Sequence, residues 1–278
     1  MTEGGGTTGA TLANWIDHWR LEPDGEAFTT PFGSRLQPVR HGGEAAMLKI
    51  AGGPEERDGG AVMAWWSGVG AARVLAREDD ALLLERATGQ GSLAAMAADG
   101  RDDEASLILC QVAARLHAPR PLPPPPSVKP LPVWFRALEP TAASHGGVFA
   151  KSAAAAAALF ATPARASVLH GDLHHDNVLD FGPRGWLVID PKGLIGERGF
   201  DFANLFCNPW PVAAEPGRLA HRLDIVAKAA AIEPARLLQW ILAYAGLSAA
   251  WTLQDGGDPW RALLIADIAA GALGGSAA

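Results

Sequence analysis

The stretch VLHGDLHHDNVLDFGPRGWLVID, residues 168–190, decides how the rest of this chain is read. Val168 and Leu169, and then the run NVLDF at 177–181, have the short apolar character of strand pieces, and GPRG is a turn leading into WLVID. Between the apolar runs lie His170, Asp172, His174, His175, Asp176 and Asn177, and Asp190 closes the segment. Titratable groups on a loop and at a strand end, carried by a β-hairpin, are held in place by rigid neighbours, which is how sites are built.

Outward from this segment, composition narrows the choices. A chain of 278 residues with 49% hydrophobic content can bury the core of one large domain or of two lobes. Cys110 and Cys207 lie far apart in apolar segments, which argues against a disulfide framework or a thiolate zinc site and fits a reducing cytosol. The N-terminal MTEGGGTTGATLANWIDHWR is acidic and glycine-rich rather than basic and then apolar. No apolar run approaches the roughly 20 residues of a membrane span, so a cytoplasmic protein with no membrane partner is expected. A net charge of -7 without any Lys/Arg block argues against nucleic acid and suits a cationic ligand. Arg greatly outnumbers Lys, and Lys49 is the only lysine before Lys129.

Local patterns divide the chain. TLANWIDHWRL has Leu12, Trp15, Ile16 and Trp19 at helical spacing; EAFTTPFGSRLQPVR, the turn HGG and EAAMLKI predict an antiparallel hairpin sheet. EERDGGAVMAWWS, residues 55–67, reads as a helix weakened by Gly59 and Gly60, followed by a strand pair around AARVLA and ALLLER. From Gly91 the pattern turns helical: DDEASLILCQVAARLHA, AKSAAAAAALFA, HRLDIVAKAAAI, PARLLQWILAYAGLSAAWTL and DPWRALLIADIAAGAL. PRPLPPPPSVKPLP is an extended surface connection. The expected organisation is α+β and two-lobed: residues 1–84 as a small antiparallel-sheet lobe, 85–91 as a hinge, and 92–278 as a mainly helical lobe.

Spacing supplies the chemistry. Asp172 and Asn177 are separated by four residues, the D-x-x-x-x-N arrangement in which an Asp accepts the proton of an attacked hydroxyl and an Asn ligates magnesium. Asp190, after the next strand, is then the second metal carboxylate, because magnesium takes hard oxygen ligands together with substrate phosphates. Lys49, among the apolar residues of AMLKI, supplies the cation that phosphoryl transfer needs on a separate rigid element.

HGDLHHDNVL followed by WLVIDP resembles the aminoglycoside phosphotransferase family, and the longer runs HGDLHHDN, GWLVIDPKGLIGE and ANLF resemble its streptomycin 6-kinase branch, the aminoglycoside/hydroxyurea resistance kinases. The resemblance extends from about Phe28 to the C-terminal helices and implies a protein-kinase-like fold, ATP as co-substrate and Mg2+ as cofactor. It implies that Asp172 is the base, that Asn177 and Asp190 hold magnesium, and that Lys49 pairs with the α and β phosphates. Glu56 would orient that lysine, with Glu55 as its competitor. The segment Glu85, Arg86, Ala87 would meet the adenine through its backbone, and TTPFGS, with Gly33 and Ser34, would cover the phosphates in place of a G-x-G-x-x-G loop. Asp201 would brace the catalytic loop, and His170 would hold it by hydrogen bonds. Glu197 and His174 are candidates for facing a cationic acceptor, and the implied acceptor is streptomycin, phosphorylated at the 6-position by a monomer or homodimer.

Other readings of the same residues stay open. The catalytic set suits another small hydroxyl metabolite, of amino sugar, choline or homoserine type; a degenerate, non-catalytic nucleotide-binding module has the same outline. His170, Asp172, His174 and His175 also have the composition of a zinc or dinuclear hydrolase cluster.

Overall fold

The structure is a computed structural model that describes residues 11–275; the glycine-rich start of the N-terminal segment, 1–10, lies outside the described residues. The first helix, Leu12–His18, is opened by a capping box in which the Thr11 side chain accepts from the Asn14 N–H. An antiparallel sheet follows, in the order Glu22–Pro23, Arg35–His41, Glu44–Ile50, Ala81–Glu85, Val74–Glu78, with Phe28–Thr29 also pairing with Arg35–His41. The helix Pro54–Trp66 connects the strand Glu44–Ile50 to the strand pair Val74–Glu78 and Ala81–Glu85.

The pleat sorts this sheet's side chains into two environments. Ala46, Leu48 and Ile50 alternate onto the face that packs with Ala81 and Leu83 against Trp15 and Leu21. Lys49 therefore points to the opposite face, where Leu82 and Leu84 join Val62, Met63 and Trp66 of the helix Pro54–Trp66. That second face is continuous with the main core, so the helix is buried on the side that meets the rest of the protein.

The larger lobe is helical: Asp102–His117, Gly147–Ala161, Arg218–Ala230, Pro234–Gln254 and Trp260–Gly275 carry most of it. The hairpin foreseen in the opening stretch forms between Val178–Asp180 and Trp186–Val188. Val168 and Leu169 do not join it; their strand, Ala166–Leu169, pairs with Leu194–Glu197, which also takes Lys129–Pro130 in parallel. The strand Leu194–Glu197 and the helices Leu93–Ala98 and Leu138–His145 add to the expected elements. Pro140 lies in the first turn of the last, where a missing N–H costs nothing. Among the described residues no helix is long and apolar enough to cross a membrane.

The hairpin is also tied to the small lobe and to the segment that joins the lobes. Ala72 N–H donates to Val188 O (3.0 Å) and Val188 N–H to Gly70 O (3.0 Å). Gly89 N–H donates to Asp180 O (3.0 Å), and Gly91 N–H to Asp180 Oδ2 (3.0 Å).

Candidate active site

Lys49 is 5% exposed, and its ammonium donates to the Glu56 carboxylate and to Asp190 Oδ1 (2.6 Å). Burial alone would lower its pKa, but the charges of Asp190 and then Glu56 outweigh it and hold Lys49 above the ordinary lysine value. Glu56 is likewise held below its ordinary value: desolvation opposes this, and Lys49 and Lys192 overcome it. Glu55, the competitor, is exposed to solvent. Both glutamates lie in the first turn of Pro54–Trp66, where the helix dipole favours carboxylates.

Glycine in that helix has a structural reason. A Cβ at Gly59 would stand 2.0 Å from the carbonyl oxygen of Pro191, so the helix backbone lies directly on the turn after Asp190. Asp190 itself adopts a left-handed backbone (φ 57°), rare for a residue with a Cβ, and its neighbours hold it there.

The loop that carries Asp172 hangs from a buried carboxylate. Asp201, 1% exposed, accepts from His170 N–H (2.9 Å), Gly171 N–H (2.8 Å) and His117 Nε2 (2.7 Å). His170 is fully buried, which pushes its pKa down. It donates from Nε2 to Ile189 O (2.7 Å) and accepts the Asp172 N–H at Nδ1 (3.2 Å), joining the loop to the strand leading to Asp190. Asp172 Oδ1 accepts from Asn204 Nδ2 (2.8 Å), while Asn177 Nδ2 donates to Asp172 O (2.8 Å) and reaches Oδ2 at 3.3 Å.

Asn204 is an addition to the residues found in the sequence, and it rests on a further buried device. Asn208 Nδ2 donates to Asn204 Oδ1 (2.9 Å), and Arg222 donates to Leu205 O (2.6 Å) and Asn208 O (2.7 Å) while pairing with Asp102 through two hydrogen bonds (2.5 and 3.1 Å). Asp102 reads in the sequence as an ordinary acid of a first turn, and nothing local marks Arg222; only Asn204, one turn past Asp201, carries a sequence signal.

The donor set fits magnesium. Because Asn177 spends its NH2 on Asp172, the amide's carbonyl oxygen is the atom left for a cation, and Asp190 retains Oδ2 after pairing Oδ1 with Lys49. The histidines do not converge. His170 is spent on the loop, His175 is 2% exposed near the Arg222–Asp102 pair with its pKa pushed down to about 3 chiefly by burial, and His174 accepts the Asp176 N–H at Nδ1 (3.3 Å). No group of three or more His, Cys, Asp or Glu gathers as metal ligands among the described residues. His174 Nε2 nonetheless stands 3.8 Å from Asp172 Oδ1, in the cleft.

The remaining expected residues divide. Gly33 (φ 84°) closes a turn in which Thr30 N–H donates to Ser34 O (2.8 Å). Ser34 lies beneath that turn, 1% exposed; its hydroxyl donates to Glu56 Oε2 (3.4 Å) and accepts from Gly52 N–H (3.1 Å), so it braces the glutamate rather than facing a phosphate. Glu85 ends a strand with its carboxylate on Arg73 and Arg184, and Ala87 follows it with no main-chain hydrogen bond among the described residues, leaving an edge suited to a base. Glu197 is a correction: Arg236, Trp240 and the Ala164 N–H saturate it, and among the described residues none of its hydrogen bonds or ion pairs reaches this cluster.

The geometry is that of a phosphotransferase, and comparison agrees. The model of the "Aminoglycoside/hydroxyurea antibiotic resistance kinase" family matches residues 18–256. The chain is 53% identical to a streptomycin 3''-kinase of Klebsiella pneumoniae, over 87% of this chain and 92% of that protein. It is 29% identical to a streptomycin 6-kinase of Streptomyces griseus, over 89% and 83%. Among solved structures, a thermostable mutant of aminoglycoside phosphotransferase APH(4)-Ia in ternary complex with ADP and hygromycin B superposes with a TM-score of 0.64 at 14% identity, covering 92% of this chain and 97% of that one.

Proposed function

We propose, for a chain that belongs to the aminoglycoside/hydroxyurea antibiotic resistance kinase family and is an ATP-dependent phosphotransferase, that the acceptor is streptomycin and the phosphoryl group goes to its 3''-hydroxyl. The observation that carries the acceptor is the 53% identity along 92% of a streptomycin 3''-kinase. The sequence reading pointed to the 6-position; the relatives named for that position are 29% and 28% identical, and the balance moves to 3''.

In this reading the acceptor hydroxyl gives its proton to Asp172 as its oxygen attacks the γ-phosphorus of ATP, and the bond to ADP breaks with the electron pair leaving on ADP. Asn204 and Asn177 fix the carboxylate's rotation, so the base meets the hydroxyl without reorganising. Asn177 and Asp190 would hold magnesium, which when bound neutralises charge on the phosphates. Lys49, kept charged by Asp190 and Glu56, does the same from the sheet.

Intact-mass analysis of streptomycin after incubation with protein, ATP and magnesium should show a single phosphate adduct, and fragmentation should place it on the methylamino sugar. An adduct on the streptidine ring would return the site to the 6-hydroxyl. An unmodified antibiotic beside phosphorylated hydroxyurea or choline would overturn the acceptor.

A further inference from the structure

A second ammonium stands on the Asp172 side of the cleft. Lys192 Nζ lies 3.3 Å from Glu56 Oε1 and 3.9 Å from Asp172 Oδ2, with its side chain 19% exposed. Its backbone is pinned to the catalytic loop, where Lys192 N–H donates to His170 O (2.7 Å). The ring of Phe32, at the tip of the turn closed by Gly33, stands 5.6 Å from the ammonium. Glu56 is thereby divided: Oε2 serves Lys49, which continues to Asp190, and Oε1 serves Lys192, which continues to Asp172. The two lysines thus share one carboxylate and reach from it toward different aspartates.

We infer that Lys192 is a catalytic residue whose ammonium contacts the γ-phosphoryl group as it passes to the acceptor. An attacked hydroxyl lies within about 2.6–3.2 Å of its base, and the phosphorus is its next neighbour along the path. A donor 3.9 Å from Asp172 Oδ2 therefore stands within one contact of the equatorial phosphoryl oxygens, where transition-state charge is spread. Glu56, nearer at 3.3 Å, keeps Lys192 from closing onto the base and leaves Oδ2 to the acceptor proton. The acceptor's O–H proton goes to Asp172, the new O–P bond forms, and the P–O bond to ADP breaks with its electrons on ADP; Lys192 keeps its protons throughout. The inference rests on transfer at Asp172 and is independent of which hydroxyl compound is the acceptor.

The test compares Lys192→Ala, Lys192→Met and Asp172→Ala in the full chain, with ADP affinity measured beside turnover. Lys192→Ala and Lys192→Met should lower kcat about 10²–10³-fold, the cost of deleting one transition-state donor, with ADP affinity within about threefold of the parent. Propylammonium should restore about tenfold of the activity of Lys192→Ala, and 1-propanol should not. Lys192→Met keeps the stem under Phe32 and decides the matter if the alanine variant does not fold. Near-parental kcat in Lys192→Met, ADP affinity falling in step with kcat, or failure of the amine to rescue a folded Lys192→Ala would each overturn the role. Activity surviving in Asp172→Ala would instead sink the base assignment beneath it.

Discussion

Glu197 shows how far one side chain's surroundings can depart from its sequence context. In LIGERGF it is a loop carboxylate available to a cationic ligand; in the fold it takes Arg236 Nε at 2.7 Å and Trp240 Nε1 at 3.0 Å on one oxygen, and Arg236 Nη2 at 2.5 Å on the other. Burial alone would raise its pKa, but the hydrogen bonds from Arg236 and Trp240 prevail and hold it below the ordinary value of 4.5. Glu197→Gln should therefore cost about 1–3 kcal/mol in urea unfolding at pH 7, somewhat less than breaking a fully buried pair, and leave the acceptor KM unchanged within about twofold. Because the folded carboxyl is the stronger acid, this contribution is complete above the unfolded value and is lost as pH falls through the lower folded one. The gap between parent and variant should accordingly shrink once the medium is more acidic than 4.5. A gap independent of pH would contradict the ion pair.

At the scale of the element, the helix Pro54–Trp66 accepts poor helix formers to reach the site. Gly59 and Gly60 each cost about 1 kcal/mol of propensity relative to Ala, yet they face different neighbours. A Cβ at Gly59 meets Pro191 O at 2.0 Å, whereas at Gly60 the nearest atom is Leu82 Cδ2 at an ordinary 3.5 Å. Gly60→Ala should raise stability by up to about 1 kcal/mol with kinetics unchanged. Gly59→Ala must push the helix off the Asp190 turn, carrying Glu56 with it, and should lower kcat and raise the ATP KM by about tenfold or more, as small misplacements of a catalytic group do. Thermal melts and steady-state kinetics on the two variants separate these outcomes; indistinguishable kinetics would show that the close approach is not needed.

For the whole molecule, the main core runs across the chain division at 85–91: Val62, Met63, Trp66, Leu82 and Leu84 share it with Leu109, Leu169 and Phe200, and the hairpin of Val178–Asp180 and Trp186–Val188 is hydrogen-bonded to Gly70 and Ala72 of the small lobe and to Gly89 of the connection. Heating should therefore give one cooperative transition by calorimetry, with tryptophan fluorescence and far-UV circular dichroism coinciding; two resolved transitions would mean that the lobes fold separately. The sequence by itself determined the two-lobed plan and most helices and marked Lys49, Asp172, Asn177 and Asp190 as candidates, because periodicity, the D-x-x-x-x-N spacing, a carboxylate at the next strand's end and a lone lysine among apolar residues are local properties of the chain. Partner choice is not local. Whether Glu56 or Glu55 reaches Lys49, that Ser34 supports Glu56, that Asn204 clamps Asp172 over the buried Asp102–Arg222 pair, and that Lys192 joins the cleft were decided only when distant elements packed. A side chain's charge is written in the sequence, but which groups desolvate and neutralise it depends on elements brought together by folding, as Arg222 is to Asp102 across 120 positions.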